Sequence, residues 1–416
     1  MANTVCVIGG GASGMMAAIS AAKAGAQVTV FEHTDRIGKK ILMTGNGKCN
    51  FTNLTIAQEC FYGTHPEYAM KIIDQFSQTD TLHFFETLGL LYKEKNGYCY
   101  PCSNQASSVL DVLRFAVRGY RIKVVTQAEI SSVRIQKKGY KICWQQSGTK
   151  KENEYDCVIL ACGGKAASKT GSDGSGYTLA GNLGHRIIPV VPALVQLKSP
   201  ETYFKSLKGI RLDASLALEI DGVQTAKECG ELQLTDYGIS GIPVFQFSRI
   251  VSYALRQKKQ VIVHIDCASG YDEAKLEQFI RQKILTNPTL TAEETMQGIL
   301  HKNLNHFFLK QAGIDPSSPL TQKNFGKLSV LCSLIKDWQV PIHGTKDFES
   351  CQVCAGGVDT AQLDDHCQSV LHKGLFFAGE LIDIDGICGG YNLQWAWASG
   401  YVAGRHAAFS AAESHF

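Results

Sequence analysis

The first 33 residues contain the pattern that most restricts how this chain can fold. A strand-forming run, Thr4–Ile8, leads into glycines spaced as G-x-G-x-x-G, and an alanine-rich helical segment, Ser13–Ala24, follows them. A second apolar run, Gln27–Phe31, ends in the acidic residue Glu32. This order of strand, glycine turn, helix and strand predicts the βαβ unit of dinucleotide-binding proteins.

The three glycines of this motif have different physical roles. Gly9 permits the tight turn after the strand, Gly11 lets the backbone approach a pyrophosphate, and Gly14 allows the helix to pack closely on the strand. The helix N-terminus offers unpaired N–H groups to the phosphates. Glu32 can accept hydrogen bonds from ribose hydroxyls, and it would repel a 2′-phosphate. The motif therefore predicts bound FAD or NAD rather than NADP.

Two further stretches favour FAD over NAD. Arg36–Asn53 is rich in glycine and asparagine and has little periodicity, which suits a loop lining an extended polar ligand. Far along the chain, a short strand at Leu375–Ala378 ends in Gly379 and Glu380, and the small residues of Asn392–Ala408 predict a closely packed helix. A ligand that touches both ends of the chain must be long. FAD fits, with its AMP half at the first βαβ unit and its flavin near the last helix.

A middle segment, Tyr155–His185, predicts a third strand of the same sheet, followed by a glycine-rich loop and a short helix. Its glycines do not repeat the G-x-G-x-x-G spacing, and no acidic residue ends a following strand. The sequence therefore predicts no second dinucleotide-binding domain. If NAD(P)H is the electron donor, it binds transiently and in another way.

Composition and charge exclude several classes of protein. Of the 416 residues, 44% are hydrophobic and 19% are charged, which is typical of a globular protein. A net charge of +3 without a basic cluster argues against nucleic-acid binding. The chain has no apolar run of about 18 residues, so no membrane span is expected. Fifteen cysteines, without a signal-peptide pattern, indicate a reducing cytoplasm.

Two pairs of cysteines have the spacing C-x-x-C, namely Cys99 with Cys102 and Cys351 with Cys354. Together they could form a zinc site, but zinc-binding pairs normally lie close in sequence and these do not. Either pair could instead be a redox dithiol. We expect chance spacing in a cysteine-rich chain, and we predict no metal site. Cys49 lacks the neighbouring cysteine that disulfide reductases place beside their flavin.

A change of pattern in the middle of the chain predicts an inserted region. After about residue 190, strand-length runs separated by turn signals predict a β-rich lobe, and from Tyr271 apolar residues recur at helical spacing. We predict an α/β fold with a nucleotide-binding domain over residues 1–190 and 343–416, a β-rich substrate lobe over 191–268 and 330–342, and a helical subdomain over 269–329.

At these motifs the chain resembles the BaiN-like flavoprotein family, also labelled the aminoacetone oxidase family or NAD(P)/FAD-dependent oxidoreductases. The resemblance covers nearly the whole chain. It rests on VIGGGASGMMAA (7–18), GKKILMTGNGKCNFTN (38–53), YPCSNQASSVLDVL (100–113), PALVQL (192–197), LTDYGISGIPVFQFSR (234–249), VCAGGV (353–358) and GELIDIDGICGGYNLQWAWASG (379–400). These segments are specific for the family but not for a substrate, because the family is functionally diverse.

The resemblance implies a Rossmann-like FAD-binding domain of the glutathione-reductase type that holds FAD tightly but without a covalent bond. It implies that the backbone of Ile130 pairs with adenine and that the flavin ring lies near Gly389–Leu393. The residues expected to contact FAD are Gly9, Gly11, Ala12, Ser13, Gly14, Glu32, Lys40, Thr44, Gly45, Asn46, Gly47, Cys49, Asn50, Ile130, Cys162, Gly163, Gly164, Gly379, Glu380, Gly389, Gly390, Tyr391, Asn392 and Leu393.

The activity that the resemblance implies is NAD(P)H-driven reduction of a conjugated C=C bond in a small molecule, such as a 3-oxo bile acid or a steroid-like intermediate. This reaction needs a proton donor. The candidates are Tyr391, Tyr237 and His343, although a buried tyrosine more often serves packing. The alternatives are an oxidase of a small amine and a flavin-binding RNA-modification protein, and the lack of a basic patch argues against the latter. The sequence predicts no particular oligomeric state.

Overall fold

The computed structural model describes residues 2–410. The chain divides into two compact units, of which the first comprises Met1–Val191 and Phe348–Phe416 and the second comprises Pro192–Asp347. The second unit is therefore an insertion between two parts of the first. The chain returns to the first unit at Phe348, which is later than the residue 343 expected from the sequence.

Helices and strands are distributed along the whole described chain. The α-helices are α1 (Ala12–Lys23), α2 (Glu67–Ile73), α3 (Gln78–Thr87), α4 (Ala106–Gly119), α5 (Ser175–Asn182), α6 (Phe204–Leu207), α7 (Ile242–Arg256), α8 (Glu273–Thr286), α9 (Ala292–Met296), α10 (Lys302–Gln311), α11 (Phe325–Lys336) and α12 (Tyr391–Ser410). Within the described range, no helix is both long and apolar enough to cross a membrane.

The strands are β1 (Thr4–Ile8), β2 (Gln27–Phe31), β3 (Thr52–Asn53), β4 (Phe61–Tyr62), β5 (Tyr92–Lys95), β6 (Tyr98–Pro101), β7 (Lys123–Val125), β8 (Glu129–Ile135), β9 (Tyr140–Gln146), β10 (Thr149–Tyr155), β11 (Cys157–Leu160), β12 (Ile187–Ala193), β13 (Leu197–Lys198), β14 (Arg211–Ile220), β15 (Val223–Leu234), β16 (Gly238–Ser240), β17 (Val261–Asp266), β18 (Trp338–Pro341), β19 (Gly344–Thr345), β20 (Val353–Val358), β21 (Leu375–Phe377) and β22 (Asp385–Gly386).

The centre of the first unit is a five-stranded parallel sheet in the order β21-β11-β1-β2-β7. In β1, Val5 pairs with Val28 on one side and with Cys157 on the other. Val5–Ile8 of β1 and all of β11 are buried apolar runs, as is typical of a parallel sheet that is covered on both faces. The third strand predicted within Tyr155–His185 is β11, and its place beside β1 confirms that prediction.

Helices α1 and α12 pack closely against each other in the first unit. A Cβ atom at Gly400 would lie 2.4 Å from the carbonyl oxygen of Ser13, and one at Gly404 would lie 2.2 Å from that of Ala17. No side chain fits in these gaps, so the small residues of α12 allow the close packing that the sequence predicted. The contact joins the last helix of the chain to its first βαβ unit.

Smaller antiparallel sheets complete the first unit. Strands β8, β9 and β10 form one of them, and β3, β6 and β5 form another. The two-residue strand β22 pairs with β4, so that Asp385 lies opposite Tyr62. This pairing holds the segment before α12 beside a part of the chain that precedes it by more than 300 residues.

The second unit is built on an antiparallel seven-stranded sheet in the order β18-β17-β14-β15-β16-β13-β19. Leu276 of α8 and Phe308 of α10 belong to the same apolar core as Leu216 and Val263 of the sheet. The sequence predicted a separate helical subdomain over 269–329, whereas the structure has one unit here. The physical reason is that the amphipathic helices bury their apolar faces in the core that the sheet also forms.

Candidate cofactor site

A cavity of about 360 Å³ lies at the carboxyl ends of the central strands of the first unit. Its walls include Ile8 at the end of β1, Phe31 at the end of β2 and Ala161 just after β11. This edge of an open parallel sheet is where α/β proteins bind nucleotides. Lys40 and Glu380 also line the cavity, so residues from distant parts of the chain meet in one site.

The cavity contains many of the residues that were expected to contact FAD. Those that line it are Gly9, Gly11, Ala12, Ser13, Glu32, Lys40, Thr44, Ile130, Cys162, Gly163, Glu380, Asn392 and Leu393. The other expected residues lie in the same unit but outside the lining, and they are Gly14, Gly45, Asn46, Gly47, Cys49, Asn50, Gly164, Gly379, Gly389, Gly390 and Tyr391.

The turn between β1 and α1 shows why it needs glycine. Gly9 has a φ of +107°, and a Cβ atom there would lie 2.3 Å from the carbonyl oxygen of Ala161. A Cβ atom at Gly14 would lie 1.9 Å from the carbonyl oxygen of Gly9. At Gly11, by contrast, a Cβ atom would meet nothing within 4 Å. Gly9 and Gly14 are therefore required by packing, while Gly11 leaves open space beside the N-terminus of α1 for a ligand.

Glu32 lies on the cavity wall with its carboxylate held in place by the backbone. Its Oε2 accepts a hydrogen bond from Gly10 N–H at 3.0 Å, and its Oε1 accepts one from Thr34 N–H at 2.8 Å. The residue is 8% exposed. Each carboxylate oxygen has a second lone pair, which leaves acceptor capacity for two hydroxyl groups. These two acceptor oxygens fit the hydroxyl groups of the adenosine ribose of FAD.

Lys40 and Glu380 form an ion pair on the cavity wall, with Nζ and Oε2 separated by 2.7 Å. Burial by itself would lower the pKa of Lys40, but the charge of Glu380 and the hydrogen bond to it outweigh burial and raise that pKa. The other carboxylate oxygen, Oε1, accepts a hydrogen bond from Cys354 N–H at 2.7 Å. The ion pair therefore fixes the Lys40 ammonium on the cavity wall, where its remaining N–H groups can donate to a polar part of a ligand.

The loop over residues 44–50 is less directly involved than the sequence suggested. Only Thr44 of this loop lines the cavity. The Oδ1 atom of Asn50 is buried and accepts no hydrogen bond from the residues that the structure describes. Burial raises the pKa of Cys49 to about 12, so its thiol stays neutral.

The three proton-donor candidates fall in different units. Tyr391 begins α12 in the first unit, where burial and a hydrogen bond to Cys60 raise the pKa of its phenol. Tyr237 and His343 belong to the second unit. There the Lys346 ammonium lies 4.5 Å from the centre of the Tyr237 ring, and His343 N–H donates to the carbonyl of Lys198. The structure therefore brings only Tyr391 into the same unit as the cavity.

Several lining residues were not singled out from the sequence. They include His33, Thr170, Ser172, Asp173, Ser175, Gln352, Val353, Trp395 and Ala396. The segment 170–175 could have indicated a ligand loop, because it combines glycine with polar residues as the segment 44–50 does. Gln352 and Val353 carry no such signal beyond the two cysteines that enclose them.

The chain is similar to known proteins over nearly its full length. It is 42% identical over 409 residues to the 3-dehydro-bile acid delta(4,6)-reductase of Clostridium scindens, covering 98% of this chain and 99% of that protein. It is 29% identical over 399 residues to a ribosomal RNA dihydrouridine synthase of Haemophilus influenzae, covering 95% of this chain and 96% of that protein.

Among solved structures, the 3-ketosteroid-delta4-(5alpha)-dehydrogenase from Rhodococcus jostii RHA1 has a TM-score of 0.48 and 15% identity, covering 97% of this chain and 96% of that chain. The model of one protein family, described as the HI0933-like protein Rossmann domain, matches residues 3–406. That match and the relative at 42% identity confirm the family and the Rossmann-like fold expected from the sequence. The chain belongs to the HI0933-like family of Rossmann-domain proteins.

Proposed function

We propose that this protein is an FAD-dependent oxidoreductase with tightly but non-covalently bound FAD. The observation that carries the proposal is the junction, in one cavity, of the glycine turn and Glu32 with the Lys40–Glu380 ion pair and the start of α12. A nucleotide shorter than FAD would not need to contact residues from both ends of the chain. FAD, when bound, supplies hydride transfer to or from a substrate carbon.

The residues of the chain would divide the binding work between them. Glu32 would accept hydrogen bonds from the ribose, and the N–H groups at the start of α1 would donate to the pyrophosphate, where the helix dipole favours negative charge. Lys40, held by Glu380, adds a positive charge near the polar part of the cofactor. Ile130 lines the cavity and is the candidate for backbone pairing with adenine.

We propose that the reaction is the reduction of a C=C bond conjugated to a carbonyl, in a small molecule such as a 3-oxo bile acid or a steroid-like compound. The name of the relative at 42% identity supports this reaction class. The relative at 29% identity is named for making dihydrouridine, which is uridine with the double bond of its uracil ring reduced. Reduction of a polarised C=C bond is common to both names.

Tyr391 is the candidate proton donor within the first unit. A tyrosine is already protonated at neutral pH, and burial together with the hydrogen bond to Cys60 raises the pKa of Tyr391, so that its phenol keeps its proton into alkaline pH as well. An acid of this kind would donate a proton from Oη to the carbon next to the carbonyl, or to the carbonyl oxygen. We propose NADH or NADPH as the transient electron donor, and the reducing cytoplasm indicated by the cysteines as the location.

An anaerobic absorbance titration tests the proposal. The purified protein, reconstituted with FAD, receives NADH or NADPH and then a 3-oxo bile acid with conjugated double bonds. We expect the flavin band to bleach with one nucleotide and to recover as the bile acid is reduced. Glu32→Ala is the control for binding at the predicted site. A protein that binds no FAD would overturn the cofactor assignment, and one bleached only by a small amine would favour the oxidase.

Ribosomal RNA is the second candidate substrate, because the relatives at 29% identity from Haemophilus influenzae and Escherichia coli are both named ribosomal RNA dihydrouridine synthase. A single measurement distinguishes the two candidate substrates. Reduced protein is offered the bile acid and, separately, ribosomal RNA that lacks dihydrouridine. Flavin reoxidation by the bile acid alone supports the small-molecule substrate, whereas formation of dihydrouridine would assign the RNA.

A further inference from the structure

The small sheet of β3, β6 and β5 in the first unit has a buried face and an outer face. In β6, Cys99 and Pro101 are buried, whereas Tyr98 and Tyr100 are half-buried. This alternation arises because successive side chains of a strand point to opposite faces. Tyr98 and Tyr100 therefore share the outer face of the sheet, and no step described above uses either of them.

The pairing of β5 with β6 adds two cations to the outer face. Lys93 pairs with Tyr100, and Lys95 pairs with Tyr98. Directly paired residues of antiparallel strands lie on the same face, with Cβ atoms about 5 Å apart. Both lysines are exposed, and neither forms an ion pair with any residue from 2 to 410. The outer face therefore combines two aromatic rings with two positive charges that have no counter-charge.

The outer face borders the cofactor site at the start of α12. A Cβ atom at Gly389 would lie 2.9 Å from Cε1 of Tyr98 and 2.8 Å from Cε2 of Tyr391, so both rings touch this glycine. The Asn53 side chain, on the neighbouring strand, donates to the carbonyl of Gly389 at 3.0 Å. Asn392, three positions further along, lines the cavity. The sheet is thus held against the segment that leads into the cavity wall.

A second contact joins the outer face to the other side of the site. A Cβ atom at Gly45 would lie 3.8 Å from Cε1 of Tyr100, which places that ring in ordinary contact distance of the loop. Thr44, the preceding residue, lines the cavity. The aromatic pair therefore adjoins the cavity lining at two segments that are far apart in the chain.

We propose that this outer face binds the substrate, and that the substrate is a fused-ring enone that carries a carboxylate. The inference rests on the proposed reduction of a conjugated C=C bond and names what selects the compound to be reduced. The apolar rings lie against Tyr98 and Tyr100, and the carboxylate pairs with Lys93 or Lys95. Because Tyr98 adjoins Tyr391, the carbonyl end of the ring system lies beside the proposed proton donor.

The two parts of such a compound suit the two kinds of group on the face. Aromatic side chains offer a large apolar surface with a polar tip, which suits fused rings that bear a carbonyl. Lys93 and Lys95 are about 7 Å apart along the strand, so a carboxylate on a flexible side chain can reach either ammonium. A 3-oxo bile acid has both features, whereas a neutral steroid has only the rings.

The first experiment separates the charge from the rings. Calorimetric titration of the oxidised, FAD-loaded protein measures the affinity for a conjugated 3-oxo bile acid and for a neutral steroid with the same conjugated ketone. We expect Lys93→Gln/Lys95→Gln to weaken binding of the bile acid about tenfold and to change that of the neutral steroid less than about twofold. The control, Lys123→Gln/Lys150→Gln, removes two charges from exposed strand positions elsewhere in the unit and should alter neither affinity.

The outcomes distinguish this proposal from the proposed reaction. A bile acid that binds equally well to both double variants would overturn the role of the lysines, whether or not the compound is reduced. A wild-type protein that binds neither compound would overturn the substrate class. If the bile acid binds as expected but no variant or wild-type protein reduces it, the binding face is supported and the proposed reaction is refuted.

The second experiment tests the rings. Tyr100→Ala should weaken binding of both compounds about tenfold, because both carry the fused rings. Tyr120→Ala is the control, since it removes an exposed ring beyond α4 and should leave both affinities unchanged. Urea unfolding verifies that the variants fold, and Tyr100→Leu gives the same test if the alanine variant does not. Unchanged affinities in the folded Tyr100 variants would show that the rings bind elsewhere.

Discussion

The two sides of the cofactor cavity are built in opposite ways. The turn side consists of Gly9–Gly14 and Glu32, which lie within one short stretch of chain. The wall formed by Lys40 and Glu380 joins two residues that are separated by 340 positions. Backbone geometry shapes the turn, since a Cβ atom at Gly14 would lie 1.9 Å from a carbonyl oxygen. A single ion pair and its neighbours hold the wall. We therefore expect a side chain at a packed glycine of the turn to damage the fold, and the loss of a single polar group on either side to have a smaller effect.

The largest effect is expected from a side chain in the turn. Gly14→Val places atoms where the Gly9 carbonyl lies, so we expect a loss of about 3 kcal/mol or more in the free energy of unfolding. Gly11→Ala is the control, because its Cβ meets nothing within 4 Å; its stability should change by about 1 kcal/mol or less, while FAD binding weakens. Urea unfolding measures the stability of both variants. Equal stability losses would break the distinction between packing and ligand-facing glycines.

The second-largest effect is expected at the start of α12. Tyr391→Phe removes the proposed proton donor, and we expect the rate of C=C reduction to fall about 100-fold, with FAD still bound. The high pKa of Tyr391 predicts that wild-type activity persists into alkaline pH. Steady-state kinetics with the bile acid measure the rate. Tyr237→Phe and His343→Gln test the candidates in the second unit, and a larger loss in either would transfer the role there.

A smaller loss is expected at the carboxylate of the turn side. Glu32→Ala removes the acceptor for the ribose and leaves Gly10 N–H and Thr34 N–H without their partner. We expect FAD affinity to fall about 10- to 100-fold, which corresponds to hydrogen bonds with a charged group. Fluorescence titration of the apoprotein gives the dissociation constant. Glu32→Asp is the control, because it keeps the negative charge on a shorter side chain. An unchanged FAD affinity in the alanine variant would show that Glu32 does not bind FAD.

The smallest effect is expected from the ion pair of the wall. The raised pKa of Lys40 means that the pair stabilises the folded state fully below the ordinary lysine value of 10.5, and that this contribution disappears as the pH rises through the higher folded-state pKa. Lys40→Met should cost about 1 kcal/mol in unfolding free energy at pH 7, and the difference from wild type should shrink as the pH rises above 10.5 and through the raised pKa of Lys40. A difference that is constant with pH would show that packing, not charge, matters here.

Much of the turn side could be predicted from local sequence. The bounds of β1 and β2 agree with the sequence prediction, and α1 differs from it by one residue at each end. The close packing expected of the small residues in α12 is confirmed at Gly400 and Gly404. These features depend on backbone sterics and on continuous apolar runs, which act over a few residues and are visible in the chain itself.

The division of the inserted region could not be predicted in the same way. Residues 269–329 have helical periodicity, which correctly indicates helices but says nothing about what their apolar faces cover. The choice between a separate subdomain and a shared core depends on whether the sheet offers a complementary face. Leu276 and Phe308 share a core with strands on both sides of them in sequence, and only the assembled unit shows this.

The sequence by itself determined the βαβ turn, the acidic residue after the second strand, the parallel apolar strands and the family. Each of these follows from short-range constraints that neighbouring residues impose on one another. The tertiary structure alone decided that Lys40 pairs with Glu380 and that Asn50 lies buried outside the cavity lining. Those outcomes depend on where bends and long-range packing place distant segments, and residue spacing does not contain that information.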